Sequence, residues 1–121
     1  MTFKGTEAQR LGRDTEQAVL CCAEFKPIAQ WIHALRAGTP EEDAQGIDIV
    51  AETEWGEVQL QVKSGMKRAR QFTKDHPDIP VIVVYPNDSE ERIRNRVRNL
   101  VKQKLQSSER WPDAKKGGKQ R

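Results

Sequence analysis

The chain has 121 residues, a length that holds one domain with a modest core. Apolar residues make up 36% and charged residues 32%, and no apolar run approaches the length of a membrane span, which excludes a helical membrane protein. The cysteines are two neighbours, Cys21 and Cys22, which excludes a disulfide framework and a Cys/His zinc site; they read as small core or flank residues in a reducing cytoplasm. The net charge of +3 hides an asymmetry: residues 39–57 hold seven acids and no Lys or Arg, whereas residues 92–121 hold eleven Lys or Arg and two acids.

From the start of the chain, a helix is expected from about residue 5 or 6 to residue 24. Ala8, Leu11, Ala18, Val19 and Cys22 share one side of a helical wheel, and Glu16 lies at the edge of that side. There it can lean over a sheet edge or pair along the helix with Arg10 and Arg13; Asp14 is the competing carboxylate. Pro27 ends the helix or starts a turn. Residues 29–37 fit a helical continuation or a first strand, with Trp31 and Leu35 as core and His33 structural or exposed. Gly38-Thr39-Pro40 signals a loop that runs on through Glu41, Glu42 and Asp43; Asp43 is a loop acid or a fourth member of the site below.

Residues 47–53 and 58–63 alternate as half-buried strands do, on either side of Glu54-Trp55-Gly56-Glu57, a four-residue hairpin loop. A symmetric hairpin pairs Ile49 with Val62, Ala51 with Leu60 and Thr53 with Val58 on an apolar face. It pairs Asp48 with Lys63, Val50 with Gln61 and Glu52 with Gln59 on a polar one. A slip of one residue would mix the two faces. Asp48, Gln61 and Lys63 then converge at one end of the hairpin.

Ser64-Gly65 breaks the second strand, and a helix follows. Its Lys67, Arg68 and Arg70 are placed to grip backbone phosphates or to form a solvated face. His76-Pro77 ends it. Residues 79–85 are a continuous apolar run, expected as a strand buried on both faces in mid-sheet. Asp88 and Glu91 fit a capping box for a last helix over about 89–105, with Ile93, Val97, Leu100, Val101 and Leu105 inward. Residues 107–121 have the composition of a basic disordered tail, which puts the domain at 1–106 and leaves Trp111 without an assigned seat. The order α-β-β-β-α-β-α implies an α/β fold with a small mixed sheet flanked by helices.

A carboxylate, an amide oxygen and an ammonium gathered in this way suit hydrolysis of a phosphodiester. The carboxylate holds a hard divalent cation. The cation polarises the phosphate and acidifies a bound water, and the lysine orients the nucleophile or offsets developing charge. The same spacing describes an exposed cross-strand Asp–Lys pair, which contributes little.

Gly46-Ile47-Asp48-Ile49 followed by Gln61-Val62-Lys63 resembles the PD-(D/E)XK nuclease superfamily, and the glutamine resembles its Mrr-like and Holliday-junction-resolvase-like branch. Gly12-Arg13-Asp14-Thr15-Glu16 is similar to the G-x-x-x-E of an upstream helix in such proteins. The resemblance implies a restriction endonuclease-like core, with a strand over about residues 31–36. It implies that Asp48, Gln61 and the Val62 carbonyl bind Mg²⁺ or Mn²⁺, that Lys63 is catalytic, and that Glu16 holds an outer-shell water or a second ion. Gln61 departs from the usual glutamate, and a neutral ligand weakens a metal site.

The expected activity is therefore a metal-dependent DNA endonuclease, restriction-like or junction-resolving, cytoplasmic and without a membrane partner. RNA stays open as a substrate, and the resemblance implies a homodimer, because cutting two strands needs two sites. The alternative is a nuclease-fold DNA-binding module without catalysis, or a subunit of a larger nucleic-acid-processing complex.

Overall fold

A computed structural model describes residues 15–24 and 26–112. Residues 15–24 are helical (α1). They are followed by β1 (Ile32–Ala37), α2 (Pro40–Ala44), β2 (Ile49–Thr53), β3 (Gly56–Lys63), α3 (Met66–Asp75), β4 (Val81–Val83) and α4 (Glu90–Ser107). The strands form one sheet in the order β1-β2-β3-β4. β1, β2 and β3 are antiparallel neighbours, and β4 runs parallel to β3 after the α3 crossover. This is the expected mixed-sheet α/β architecture, with the short α2 added where a loop was expected. Among the described residues, no helix is long and apolar enough to cross a membrane.

The main core lies on one face of the sheet. Ile49, Ala51, Val58, Leu60, Val62, Ile82 and Val84 pack there against Val19 and Cys22 of α1 and against Ile93, Val97, Val101 and Leu105 of α4. Those α4 positions are the inward ones read from its helical period, and Leu100 lies at the border, partly buried. Cys22 is fully buried, its thiol donating to the Val19 carbonyl at 3.0 Å. By strand alternation, Val50, Gln61, Lys63, Val81 and Val83 face the other way, toward α3, which packs on β3 and β4.

The hairpin register differs by two residues from the symmetric one. Ile49 pairs with Leu60, Ala51 with Val58 and Thr53 with Gly56, so the loop is Glu54-Trp55 and not four residues. Thr53 sets this turn: its hydroxyl accepts from the Trp55 N–H at 3.0 Å and donates to the Gly56 carbonyl at 2.7 Å. Gly56 supplies the φ of +106° that closes it. An even slip keeps every side chain on its face, so the apolar pattern was a sound guide to the faces and blind to the register.

Two other expectations are corrected. The capping box belongs to α2, where the Thr39 hydroxyl accepts from the Glu42 N–H and the Glu42 carboxylate accepts from the Thr39 N–H. At α4 the N-cap is Ser89, which accepts from the Arg92 N–H at 3.2 Å. Asp88 instead accepts from the Tyr85 N–H at 2.7 Å and pairs through both oxygens with Arg96, which holds its carboxyl below the usual range. Arg96 also donates to the Val83 carbonyl at 3.0 Å, so the charge of Asp88 serves to clasp β4 to α4. The apolar run at 79–85 forms only the three-residue β4, and β4 is an edge strand. Its apolarity reflects cover by α3 and α4 on both faces, not a central place in the ladder.

The boundary expected at residue 106 falls inside α4. Past it, Arg110 donates to the Glu57 carbonyl at 2.9 Å, and Trp111 is buried against Trp31 and Trp55 with ring centroids 4.8 and 5.0 Å away. Residues 113–121 lie outside the described residues.

Candidate functional site

The β2–β3 ladder ends at Ile49 and Leu60. Beyond that point β3 runs on to pair with β4, while the chain before β2 turns away toward α2. Asp48 stands in this fork. Its N–H donates to the Leu60 carbonyl at 2.9 Å, and its carbonyl accepts from the Gly38 N–H at 2.8 Å. Its carboxylate oxygen Oδ2 accepts from the Val62 N–H at 3.0 Å, a donor that a continuing ladder would have spent on backbone. The Asp48 side chain thus replaces a strand partner at the place where two strands part.

The expected direct opposition of Asp48 and Lys63 does not form, because the register is shifted. Their convergence persists: the Lys63 charge acts on both the Asp48 and Glu16 carboxyls. Gln61 is fixed through its backbone, which donates to the Pro80 carbonyl at 2.9 Å. Its side chain is 7% exposed. The amide nitrogen has only a long contact to the Val62 carbonyl, 3.5 Å, and among the described residues Oε1 is buried with no hydrogen-bond partner. A buried amide oxygen left without a donor is costly and uncommon.

Glu16 reaches the same fork from α1 and hydrogen-bonds with Asp48; burial, with Asp48 and Asp43 nearby, pushes its carboxyl up to about 7. Burial also raises the Asp48 carboxyl, against the Val62 N–H and Lys63, with Asp43 adding to the rise by charge and a hydrogen bond. Asp43, at the end of α2, is therefore a neighbour of the site and not a remote loop acid. Asp14 lies outside the described residues. Three other acids of the acid-rich stretch are used differently: Glu42, Glu52 and Glu57 surround Arg36 at 2.8, 3.4 and 3.4 Å.

A pH dependence of stability follows. The folded state binds the Glu16 proton more tightly than the unfolded chain, whose carboxyl titrates near 4.3. That contribution is fully present below about 4.3 and is lost as pH rises through about 7. In a chelating buffer, Glu16→Gln is expected to flatten the stability profile between these pH values; chemical denaturation at a series of pH values measures it.

Lys67, Arg68 and Arg70 are exposed on α3. They belong to the helix that covers the Lys63 side of the sheet. Sequence reasoning passed over Phe72 and read His76 only as the loop residue that ends the helix. Phe72 lies under the Lys63 ammonium, Nζ to ring centroid 5.2 Å, and stacks on His76, the C-cap of α3. Their i, i+4 spacing was the available signal.

Among the described residues, no three His, Cys, Asp or Glu side chains are placed to hold an ion by themselves. The oxygens at the fork are of mixed kind: the carboxylates of Asp48 and Glu16, the amide oxygen of Gln61 and the carbonyl of Val62. All are hard donors of the sort that magnesium and manganese prefer, and the unpartnered Gln61 oxygen fits such an ion. No family model, curated protein or solved structure matches the chain.

Proposed function

We propose that this protein is a metal-dependent nuclease of the PD-(D/E)XK type that hydrolyses phosphodiester bonds in DNA. The observation that carries the reading is Gln61 Oε1, buried and without a hydrogen-bond partner among the described residues, on the strand that also carries Lys63 and beside the Asp48 and Glu16 carboxyls; the four residues also match the superfamily's motifs in order. Asp48, Gln61 and the Val62 carbonyl would hold Mg²⁺ or Mn²⁺. A cation there supplies Lewis-acid polarisation of the phosphate and activation of water.

The chain's own groups do the rest. Lys63 places a positive charge where a phosphate develops negative charge. Glu16 would hold an outer-shell water or a second ion at the fork. The Val62 N–H fixes the orientation of Asp48. The exposed Lys67, Arg68 and Arg70 on α3 supply backbone contacts without sequence choice, and a homodimer would bring two such sites to a duplex.

One observation favours a second reading, a DNA-binding module that does not cut. Gln61 brings no charge to the cation, so affinity is lower than an acid would give. A cleavage assay separates the two. Linear duplex, supercoiled plasmid, single strand, flap and four-way junction are incubated with Mg²⁺, Mn²⁺ or chelator. Metal-dependent cleavage of any of them supports the nuclease, and DNA binding without cleavage supports the module.

A further inference from the structure

Lys63 stands among acids, and among the described residues it makes no direct ion pair with any of them. Its Nζ lies 5.2 Å from the centroid of the Phe72 ring, within the roughly 6 Å range of a cation–π contact.

The ring is itself seated from two directions. His76, one turn further along, stacks on it with 4.4 Å between centroids and 19° between planes. The backbone of Gly46 lies against its edge: a Cβ at that position would come within 3.0 Å of Phe72 Cε1 and Cζ. Gly46 also holds φ at +89°, which only glycine adopts at no cost. Phe72 stands outside the main hydrophobic cluster. The glycine two residues before Asp48 thus seats the ring that lies under Lys63.

We propose that Phe72 is a positioning residue for Lys63, with Gly46 and His76 fixing its ring. The choice of a ring over a carboxylate has a chemical consequence. An ammonium has three N–H donors and no acceptor. A carboxylate partner would occupy donors and cancel the charge that a phosphate needs. A ring face attracts the charge and leaves the donors directed at whatever lies above. Phe72 therefore keeps the ammonium beside Asp48 and Glu16 and available to a phosphate oxygen. This role rests on the nuclease reading for its catalytic meaning, but the geometry is testable without it.

The test compares Phe72→Leu, which keeps an apolar side chain, with Phe72→Tyr, which keeps the ring face, both checked for an unchanged melting temperature. The first readout is the NMR shift of the Lys63 Cε protons. The ring displaces them in the wild type and in Phe72→Tyr, and the displacement is lost in Phe72→Leu. The second is cleavage. Phe72→Leu lowers kcat roughly 2- to 30-fold, the kinetic equivalent of a cation–π contact, with KM retained, and Phe72→Tyr restores it. In a Lys63→Ala background, Phe72→Leu has no further effect on cleavage, because the two residues act as one unit. Unchanged Lys63 resonances in Phe72→Leu would overturn the proposal, and so would a full additional loss in the Lys63→Ala background. If the wild type cleaves nothing, the nuclease reading fails and the resonances alone decide whether Phe72 holds Lys63.

Discussion

Lys63→Ala is expected to lower metal-dependent DNA cleavage by about 10²–10⁴-fold, the usual weight of a positioned acid–base or electrostatic group. It is expected to leave the melting temperature close to that of the wild type. The two expectations come from the same geometry. Lys63 is half-buried at the end of β3, and its side chain touches a ring face and makes no ion pair among the described residues. Its removal breaks no direct ion pair among the described residues; it takes a favourable charge from the buried Asp48 and from Glu16, a smaller cost than stranding the partner of a paired buried charge. Lys63→Arg keeps the charge but replaces a compact ammonium by a planar fork, so partial activity is expected. Single-turnover cleavage with saturating metal, alongside thermal melts, reads both effects.

Trp111→Ala is expected to cost about 3–5 kcal/mol of stability, the range for removing a buried Trp or Phe. Trp111 is 6% exposed and meets Trp31 and Trp55 edge-on. The Lys102 ammonium lies over its ring at 5.2 Å. Together with the Arg110 bond to the Glu57 carbonyl, it pins the chain after α4 to the β2–β3 hairpin. Trp111→Phe should cost much less. It keeps an aromatic plug and discards an indole N–H that is buried without a partner among the described residues. Denaturant melts of the three proteins measure the difference, and a Trp111→Ala protein as stable as the wild type would show that this segment lies on the domain without supporting it.

The parts of this fold that were legible in the sequence are those that depend on side-chain period. The alternation in residues 47–53 and 58–63 identified the hairpin and its faces, and the helical period of 93–105 identified the buried side of α4. Period could not give register, since a slip by two preserves every face; the Thr53 hydroxyl and the φ of Gly56 decide it. Nor could it distinguish Asp88 from Ser89 as a cap. Both residue types cap helices, and the choice is made by Arg96, which meets Asp88 through the folding back of α4 on β4. Trp111 was hidden by the polar composition around it, because a single aromatic in a basic segment gives no period at all.

The same distinction applies to the fork. The gathering of Asp48, Gln61 and Lys63 could be read from their spacing, since one end of a hairpin brings them together under either register. The supports of these residues could not. The Val62 N–H reaches the Asp48 carboxylate only because the β2–β3 ladder stops one pair earlier, and Phe72 reaches Lys63 only because α3 returns across the sheet. Asp43 illustrates the limit: sequence left it between loop and site, and α2, unforeseen, is what brings it to Asp48.

On the proposed nuclease reading, the oxygens at this fork take a divalent cation. Calorimetric titration of the protein with Mn²⁺, wild type beside Asp48→Asn, measures this. The expected result is saturable binding to the wild type that is lost in Asp48→Asn, because the neutral amide removes the site's best-oriented negative charge. Binding of equal strength in both proteins, or none in the wild type, would rule out a cation site built on Asp48.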